Sequence, residues 1–321
     1  MLWSGPLMLW RVSPDGNSDW TSDLHGGVPV RCRGMELQHR QAVVNGVRLH
    51  YVEAGSGPLI VLLHGFPEFW WSWRLQIPAL VEAGYRVVAP DQRGYADSEK
   101  PRDWRMYRIE TLAADVAALI RDELGEASAF VVGHDWGAAV GWMVATLHPE
   151  VVEKLAVLNV PHPDTMQRTL RSNPEQRRRS WYMFFFQVPW LPEHLLAWTA
   201  RRALAQAYGD ARPGAFTADD LDRYVTALKG VDGFRGPINW YRAALRTPIQ
   251  RTRRLYRPIP AEVLVIWGEQ DRFLMASMAE PPRELVPNVR VERLPEASHW
   301  VQHDEPERVN ALLTGFFSDA V

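Results

Sequence analysis

The sequence predicts an α/β protein with a mostly parallel, doubly wound sheet and an inserted helical segment. Three observations support this fold class. Short apolar runs of strand character alternate with helical runs over residues 58–160, the alternation stops over residues 164–257, and it resumes at residue 262. Strands that alternate with helices at this spacing are typical of βαβ units, whose strands lie parallel.

The total charge of the chain indicates which classes of binding partner are disfavoured. The 321 residues include 36 Lys and Arg against 38 Asp and Glu, a formal net charge of -2 at pH 7. A charge so close to zero argues against nucleic acid or an anionic membrane as the main partner. Basic runs at residues 168–179 and 251–257 lack regularly spaced aromatic residues and are interpreted as solvated helix faces.

The cysteine content and the N-terminus bear on location. Cys32 is the single cysteine, so no intramolecular disulfide can form, which fits a reducing compartment and predicts a cytoplasmic protein. No apolar run reaches the ~18 residues that span a bilayer. Residues 1–34 are predicted to be a disordered leader, because they show no periodicity and lack the basic start of a signal peptide, and translation from Met35 would omit them.

The individual elements follow from local patterns. Asn45-Gly46 is a strong hairpin turn signal between two short strands. Continuous apolar runs predict buried strands, and apolar spacing of three and four residues predicts helices. The strands are predicted at residues 41–47, 48–53, 58–64, 85–89, 154–160, 262–268 and 289–294, and the helices at residues 76–83, 109–124, 138–147, 275–285 and 305–317. Residues 35–163 and 258–321 are therefore predicted to form a core, and residues 164–257 a helical cap, called the cap segment below.

Residues 130–139, with the sequence FVVGHDWGAA, are predicted to form a nucleophile elbow. An apolar strand run meets a sharp turn flanked by Gly133 and Gly137, and a helical run follows. In an elbow of this pattern, strain holds one side chain above the sheet. Asp135 stands at that apex. A turn without chemistry fits the local pattern equally well, so the decision rests on the rest of the chain.

Four candidate functional residues follow predicted strands: Phe66, Asp135, Asp271 and His299. Ligands of open α/β sheets bind at the carboxyl ends of the strands, which meet at one edge. Unrelated turns would not be expected to collect such residues at the same edge. The pattern therefore favours a functional role for Asp135.

An aspartate at the apex suits attack on a saturated carbon, which forms an alkyl ester that water must then hydrolyse. Asp135 is ionised at neutral pH, so a base is needed only for the water. His299 is the candidate base, and Asp271 the candidate to orient its ring and stabilise its cation. The alternative for a lone His or Asp in a loop is a surface residue. Glu269 is the second candidate for the acid, and Asp304 is expected at the surface.

Three motifs together resemble the soluble-type epoxide hydrolases of the α/β-hydrolase superfamily. They are HGFPE at residues 64–68, GHDWG at residues 133–137 and SHW at residues 298–300, and the similarity runs from about Arg40 to the C-terminus. The order of nucleophile, acid and histidine along the chain matches as well. The resemblance implies an α/β-hydrolase fold whose cap covers the strand ends, and conversion of an epoxide to a vicinal diol.

The resemblance also implies roles for individual residues. The backbone N–H groups of Phe66 and Trp136 would form the oxyanion hole. Two tyrosines would protonate the departing oxygen: Tyr182, which begins the family's Tyr-x-x-x-Phe-Gln stretch, and Tyr241, which lies in its Asn-aromatic-Tyr-Arg stretch. A phenol keeps its proton to pH ~10, although a lone tyrosine is more often a packing residue. Phe66-Pro67 is a candidate cis peptide bond.

One motif departs from the family. At residues 94–98 the family has Gly-Tyr-Gly-x-Ser, whereas this chain has Gly-Tyr-Ala-Asp-Ser, with Ala96 in place of the second glycine. The change is expected to alter turn geometry and leave the chemistry intact. Arg93 and Asp97, beside it, are interpreted as structural residues.

Three other functions fit parts of the pattern. A haloalkane dehalogenase would also use Asp135, Asp271 and His299, but it needs a second side-chain donor to halide, for which Trp181 and Trp190 are the candidates. An esterase is disfavoured because neither Ser nor Cys stands at the apex. A non-catalytic ligand receptor could keep the fold. No cofactor, metal, nucleic acid or membrane is expected; the expected partners are a small hydrophobic epoxide and water, for a monomer or homodimer.

Overall fold

The computed structural model describes residues 31–32 and 35–318. The predicted leader therefore lies outside the described residues, except for Arg31–Cys32, which pairs antiparallel with Met35–Glu36. Within the described part of the chain, no helix combines the length and the apolar character that crossing a bilayer requires.

An eight-stranded sheet forms the centre of the molecule. Its strands are β1 (Gln38–Val44), β2 (Val47–Ala54), β3 (Leu59–Leu63), β4 (Arg86–Pro90), β5 (Ala129–His134), β6 (Val152–Leu158), β7 (Glu262–Gly268) and β8 (Val289–Leu294). Across the sheet the order is β1-β2-β4-β3-β5-β6-β7-β8. Strand β2 runs antiparallel to β1 and β4, and the other neighbours are parallel. The predicted fold class is confirmed, with the predicted strands found within three residues at each end.

The central strands are apolar because helices cover both faces of the sheet. Every residue of β3 and of β5 is buried. Successive side chains of a strand point to opposite faces. Val61 and Val131 accordingly enter one core, whereas Ile60 and Val132 enter the core on the other face. Strands buried on both faces read as continuous apolar runs, which is the pattern that predicted them.

The helices lie in three groups along the chain. The first group is α1 (Ile77–Glu82), α2 (Ile109–Ala118), which continues into a π-helical turn at Leu119–Glu123, and α3 (Trp136–Leu147). The cap segment contains α4 (Pro163–Ser172), α5 (Pro174–Arg179), α6 (Trp181–Phe185), α7 (Leu191–Ala207), α8 (Ala218–Ala227), α9 (Gly230–Arg246) and α10 (Ile249–Arg253). The last group is α11 (Val301–Asp304) and α12 (Pro306–Ser318). Short 3₁₀ turns lie at Trp70–Trp73, Trp104–Tyr107, Pro149–Val151 and Ala276–Met278.

The helix predicted at residues 275–285 is wrong. The structure has only the 3₁₀ turn Ala276–Met278 there, followed by irregular chain. Pro281 and Pro282 explain the difference, because proline has no N–H to donate and disfavours helical backbone in the residue before it.

Helix α9 joins the cap segment to the core. The Trp240 indole donates a hydrogen bond to the carbonyl oxygen of Arg93 at 3.0 Å, and the Asn239 amide donates to that of Arg102 at 3.2 Å. Gly236 packs directly on Gly94, since a Cβ at Gly236 would lie 2.1 Å from the Gly94 carbonyl oxygen. These contacts fix the position of the middle of α9 over the sheet.

Candidate active site

Asp135 occupies the turn between β5 and α3 in a strained conformation. Its φ is 48° and its ψ is -122°, a region that residues with a side chain seldom adopt. A Cβ at Gly133 would lie 2.4 Å from the carbonyl oxygen of Gly137, and a Cβ at Gly137 would lie 2.0 Å from that of Leu63. Strand and helix therefore pack closely behind the turn, and the Asp135 side chain stands at the carboxyl edge of the sheet.

A backbone N–H group contacts the Asp135 carboxylate. The N–H of Phe66, in the loop after β3, donates to Asp135 Oδ1 at 2.7 Å. The bond between Phe66 and Pro67 is cis, as the sequence suggested. Trp136 is the first residue of α3, so its N–H has no acceptor within the helix and lies at the positive end of the helix dipole. Of the two residues expected to form an oxyanion hole, Phe66 contacts the carboxylate, and Trp136 directly follows Asp135 at the start of α3.

His299 and Asp271 lie next to Asp135 in the predicted order. His299 Nε2 is 3.6 Å from Asp135 Oδ2, and His299 Nδ1 is 2.7 Å from Asp271 Oδ2. The short contact with Asp271 sets the ring orientation, so that Nε2 faces Asp135. The side chains of His299 and Asp271 are buried.

The charges of Asp271 and Asp135 affect the pKa of His299, and the charge of His299 affects the pKa of Asp271. Burial opposes a positive charge on His299, but the carboxylates of Asp271 and Asp135 outweigh it and raise the pKa of the imidazole well above its usual value. Burial also opposes the charge on Asp271, yet His299 and hydrogen bonds from Asn159 and Leu274 lower the pKa of that carboxyl. Asp271 is therefore an anion at neutral pH and stabilises a protonated His299.

Asn159 holds Asp271 in place, and the sequence analysis missed it. Asp271 Oδ2 accepts a hydrogen bond from the Asn159 amide at 2.9 Å, and Oδ1 accepts from the backbone N–H groups of Phe273 and Leu274. The N–H of Gly268 in turn donates to Asn159 Oδ1 at 2.8 Å. Asn159 follows β6 with a φ of 47°, which asparagine tolerates better than most residues. An asparagine at the end of a buried strand was the signal that could have found it.

The two other acids considered from the sequence have different roles. Glu269 forms an ion pair with Arg293 at 3.2 Å. The expectation that Asp304 lies at the surface is wrong, because it is buried and accepts hydrogen bonds from the N–H and hydroxyl of Ser298 at 2.7 and 2.6 Å. Buried polar groups of a loop need such a partner. Asp304 thereby holds the loop that precedes His299.

The two predicted tyrosines meet above Asp135. Tyr182 comes from α6 and Tyr241 from α9, and their rings pack edge to face with centroids 5.8 Å apart. The Gln187 amide donates to the carbonyl oxygen of Tyr241 at 3.2 Å and to that of Met183 at 3.0 Å. The glutamine of the first tyrosine motif therefore ties the two tyrosine segments together.

Both phenols keep their protons at neutral pH. Tyr182 lines the cavity described below but is enclosed by protein, and this burial, followed by the Asp135 carboxylate, raises the pKa of its phenol. Burial also raises the pKa of Tyr241 well above its usual value, with Tyr182 and Asp135 adding to the effect.

Two cavities meet at Asp135, Tyr182 and Tyr241. The smaller has a volume of about 190 Å³ and is lined mainly by apolar side chains, among them Trp136, Met143, Val160 and Leu274. The larger has a volume of about 700 Å³, and its lining includes Phe66, Phe186, Leu204, His299 and Trp300. Arg178 and Arg202 also line the larger cavity and are exposed, so that cavity reaches the protein surface. Trp181 lines it too, whereas Trp190 lines neither cavity.

A buried polar network behind the site was also missed. The Glu68 carboxylate accepts hydrogen bonds from His303 Nε2 at 2.8 Å and from the Tyr224 hydroxyl at 3.1 Å. His134 Nδ1 lies 3.2 Å from the same carboxylate. Burial opposes the charge on Glu68, but His303 and His134 outweigh it and lower the pKa of the carboxyl. The motif HGFPE contains this glutamate, but its partners come from distant parts of the chain.

One group among the described residues has donor atoms close enough for a metal ion, namely His50, Asp91 and Asp97. His50 Nδ1 and Asp91 Oδ2 already form a contact of 2.7 Å with each other. None of the three lines the cavities at Asp135.

Known proteins are similar to this chain over most of its length. A family model described as alpha/beta hydrolase fold matches residues 58–306. The AB hydrolase superfamily protein YfhM of Bacillus subtilis is 44% identical over 278 residues, which cover 86% of this chain and 96% of that protein. Epoxide hydrolase 4 of Mus musculus is 38% identical over 285 residues, 86% of this chain and 77% of that protein.

Solved structures agree with the sequence relatives. Epoxide Hydrolase A from Mycobacterium thermoresistibile has a TM-score of 0.76 and 36% identity, and the match covers 87% of this chain and 98% of that one. The Bacillus megaterium epoxide hydrolase in complex with an inhibitor has a TM-score of 0.78 and 36% identity, covering 87% and 100%. The chain therefore belongs to the α/β-hydrolase fold family, in the group that contains the epoxide hydrolases.

Proposed function

We propose that the protein is an epoxide hydrolase that converts an epoxide to a vicinal diol through an ester on Asp135. One observation carries the proposal: a carboxylate paired with an imidazole faces two protonated phenols across the same cavities. The relatives and solved structures that are named epoxide hydrolases support the same activity.

In the first step, the Asp135 carboxylate attacks one carbon of the epoxide ring. A bond forms between a carboxylate oxygen and that carbon, and the ring C–O bond breaks. The departing oxygen takes a proton from Tyr182 or Tyr241, whose raised pKa keeps that proton available. The product is a hydroxyalkyl ester of Asp135 and one phenolate.

In the second step, water hydrolyses the ester. His299 Nε2 accepts a proton from the water, and the hydroxide formed attacks the carbonyl carbon of the Asp135 ester. Negative charge develops on the carbonyl oxygen, to which the N–H of Phe66, already bonded to Asp135 Oδ1, and the N–H of Trp136 would donate. The ester bond then breaks, and the departing alkoxide takes the remaining proton of that water, so that the diol leaves and Asp135 is again a carboxylate. The proton on His299 restores the phenol by way of solvent.

The division of the chain belongs to the same proposal. The core, residues 35–163 and 258–321, supplies the nucleophile, the base and the orienting acid. The cap segment supplies Tyr182 and Tyr241 and most of the cavity wall. The apolar lining of both cavities favours a hydrophobic epoxide.

A haloalkane dehalogenase is the main competing function. Its halide needs a second N–H donor beside Trp136, and Trp190 lines neither cavity. Trp181 lines the larger cavity, but its side chain is mostly exposed. Neither indole supports a buried halide site.

A parallel assay with styrene oxide and a 1-haloalkane tests the proposal, with diol and halide release as the readouts. We expect diol formation alone. Halide release without diol would establish the dehalogenase, and neither product would favour a receptor. A single turnover in ¹⁸O-water should give unlabelled diol, because the new oxygen comes from Asp135. Labelled diol from that first turnover would mean that water attacks the ring directly.

A further inference from the structure

Exposed apolar side chains are concentrated on one part of the cap segment. Ten large apolar residues of the described chain are exposed, and seven of them lie between residues 181 and 198. Three are tryptophans: Trp198 is 84% exposed, Trp190 68% and Trp181 63%. Single exposed apolar residues are ordinary, but a cluster that includes several aromatic rings marks an interaction surface.

The geometry makes these residues one surface, which we call the cap patch: Trp181, Phe184, Trp190, Leu191, Leu195 and Trp198. Leu191, Leu195 and Trp198 lie on one face of α7, since residues separated by four and three positions share a helix face. Trp190 directly precedes that helix. Trp181 of α6 and Leu195 of α7 both line the larger cavity, so both helices border it. The cap patch thus borders the larger cavity through Trp181 and Leu195.

The cap segment has an excess of positive charge, which the total charge of the chain conceals. The cap segment carries 17 Arg and Lys against eight Asp and Glu, whereas the rest of the chain carries 19 against 30. Between residues 165 and 209 there are seven arginines and two glutamates. Both glutamates are already paired, Glu175 with Arg179 and the buried Glu193 with Arg242.

Two of these arginines have particular importance. Arg178 and Arg202 are exposed at the mouth of the larger cavity. Among the described residues, neither forms an ion pair with an acidic side chain. Tryptophan, leucine and arginine are the side chains that favour the interface between lipid head groups and acyl chains.

We propose that the cap patch docks on an anionic lipid surface, with its apolar side chains among the lipids and its arginines against the head groups. A peripheral surface of this kind needs no spanning helix and no excess of positive charge over the whole chain. A second copy of the chain is disfavoured as the occupant, because a symmetric dimer through this surface would bring two arginine-rich faces together. Docking would bring the mouth of the larger cavity to the bilayer, where a hydrophobic epoxide dissolves. That last step rests on the proposed function, whereas the docking does not.

Vesicle flotation with the full chain tests the docking without any turnover. The vesicles contain phosphatidylcholine with about 30% phosphatidylserine or phosphatidylcholine alone, at about 0.1 M salt. We expect the protein to float with the anionic vesicles. Its binding to the neutral vesicles should be weaker by about tenfold or more. The double variant Trp190→Ser/Trp198→Ser should lose about tenfold or more of the anionic binding, because both side chains are exposed and neither lines a cavity.

The matched control is Val43→Ser, which removes a 76% exposed apolar side chain from β1, outside the cap segment. It should bind vesicles as the wild type does, and circular dichroism should show both variants folded. Absence of flotation with anionic vesicles would overturn the proposal, as would equal binding by the double variant and Val43→Ser. A dimer that becomes a monomer only in the double variant, without lipid binding, would assign the surface to a second copy instead.

Discussion

The imidazole of His134 donates a hydrogen bond from Nε2 to the backbone carbonyl oxygen of His299, at 2.8 Å. Its other nitrogen, Nδ1, lies 3.2 Å from the Glu68 carboxylate. His134, which directly precedes Asp135 in the chain, therefore supports the backbone of His299. Glu68 joins this support to the cap segment, since it also accepts a hydrogen bond from Tyr224 of α8.

The first prediction concerns Glu68→Gln. The substitution removes a buried negative charge shared by His134, His303 and Tyr224, and breaking a buried pair costs about 3 kcal/mol. Urea unfolding at pH 7 should show a loss of about that size. Glu82→Gln, at an exposed position, is the control and should change the free energy of unfolding by less than about 0.5 kcal/mol. Equal free energies of unfolding for the wild type and Glu68→Gln would refute the stabilising role of the network.

The same variant has an expected pH dependence. The folded protein lowers the pKa of Glu68, so the ionised carboxylate stabilises the native state above its unfolded pKa of about 4.3. That contribution declines as the pH falls below this value, because the unfolded state then binds the proton first. The difference in stability between the wild type and Glu68→Gln should therefore shrink below about pH 4.3. A difference that grows on acidification would contradict the ionised state of Glu68.

The second prediction concerns His299→Gln. Without the imidazole, alkylation of Asp135 can proceed but no base activates water for the ester. Intact-mass spectrometry after mixing with epoxide should show one adduct per chain that persists for hours. The control Asp135→Asn should show no adduct, because an amide does not attack the ring. Normal turnover by His299→Gln would remove His299 from the role of base.

The third prediction concerns the two phenols. Tyr182→Phe and Tyr241→Phe should each slow alkylation by about 10- to 100-fold, since each leaves one acid, and the double variant should lose nearly all activity. Rapid quench with mass detection measures the alkylation step. Tyr85→Phe is the control, because that buried tyrosine packs on Phe130 and Phe317 away from the cavities. Full activity in the double variant would exclude both tyrosines as acids.

The fourth prediction concerns the pH dependence of the two steps. Asp271 and Asp135 both raise the pKa of His299 in the free enzyme. Alkylation converts Asp135 to a neutral ester, so the pKa of His299 falls and the ring can accept a proton from water. Ester hydrolysis should rise with pH to a plateau, and it is lost as the pH falls through the pKa of His299 in the ester. Asp271→Asn should move that inflection to lower pH and reduce the plateau, measured in single turnovers; an unmoved inflection would contradict the assignment.

The fifth prediction concerns the turn at residues 94–98. Ala96 has a φ of 37°, where a side chain costs roughly 1 kcal/mol relative to glycine. Ala96→Gly should raise the free energy of unfolding by up to about 1 kcal/mol, after the greater entropy of glycine in the unfolded chain is included. The control Ala205→Gly, at an exposed position in α7, should lower it by about 1 kcal/mol. A loss of stability in Ala96→Gly would show that the turn is not strained.

The sequence predicted the sheet well because its central strands carry their own signals. The runs 262–268 and 289–294 were placed without error. The first is almost entirely apolar, and in the second Val289, Val291 and Leu294 are interspersed with charged residues. The elbow at Asp135 was recognisable because the glycines at 133 and 137 have a local steric cause. The helix at 275–285 was wrong because apolar spacing was given more weight than the pair Pro281-Pro282.

Residues whose role depends on distant partners could not be found in this way. Glu68 is buried by His303, Tyr224 and His134, which lie 66 to 235 positions away along the chain. From the sequence, Asp304 resembles a surface acid, and only the structure shows that its carboxylate accepts hydrogen bonds from Ser298. Helix α7 carries both apolar and polar residues, and only its tertiary packing determines that Trp198 is exposed.

The contact of Gly236 with Gly94 determines how the molecule can open. Backbone lies against backbone there, and the indole of Trp240 and the amide of Asn239 fasten the same helix to the core. The α9 side cannot swing away as a rigid flap. We therefore expect entry of substrate and exit of product to depend on α7, which is kinked at Thr199 and lines the larger cavity.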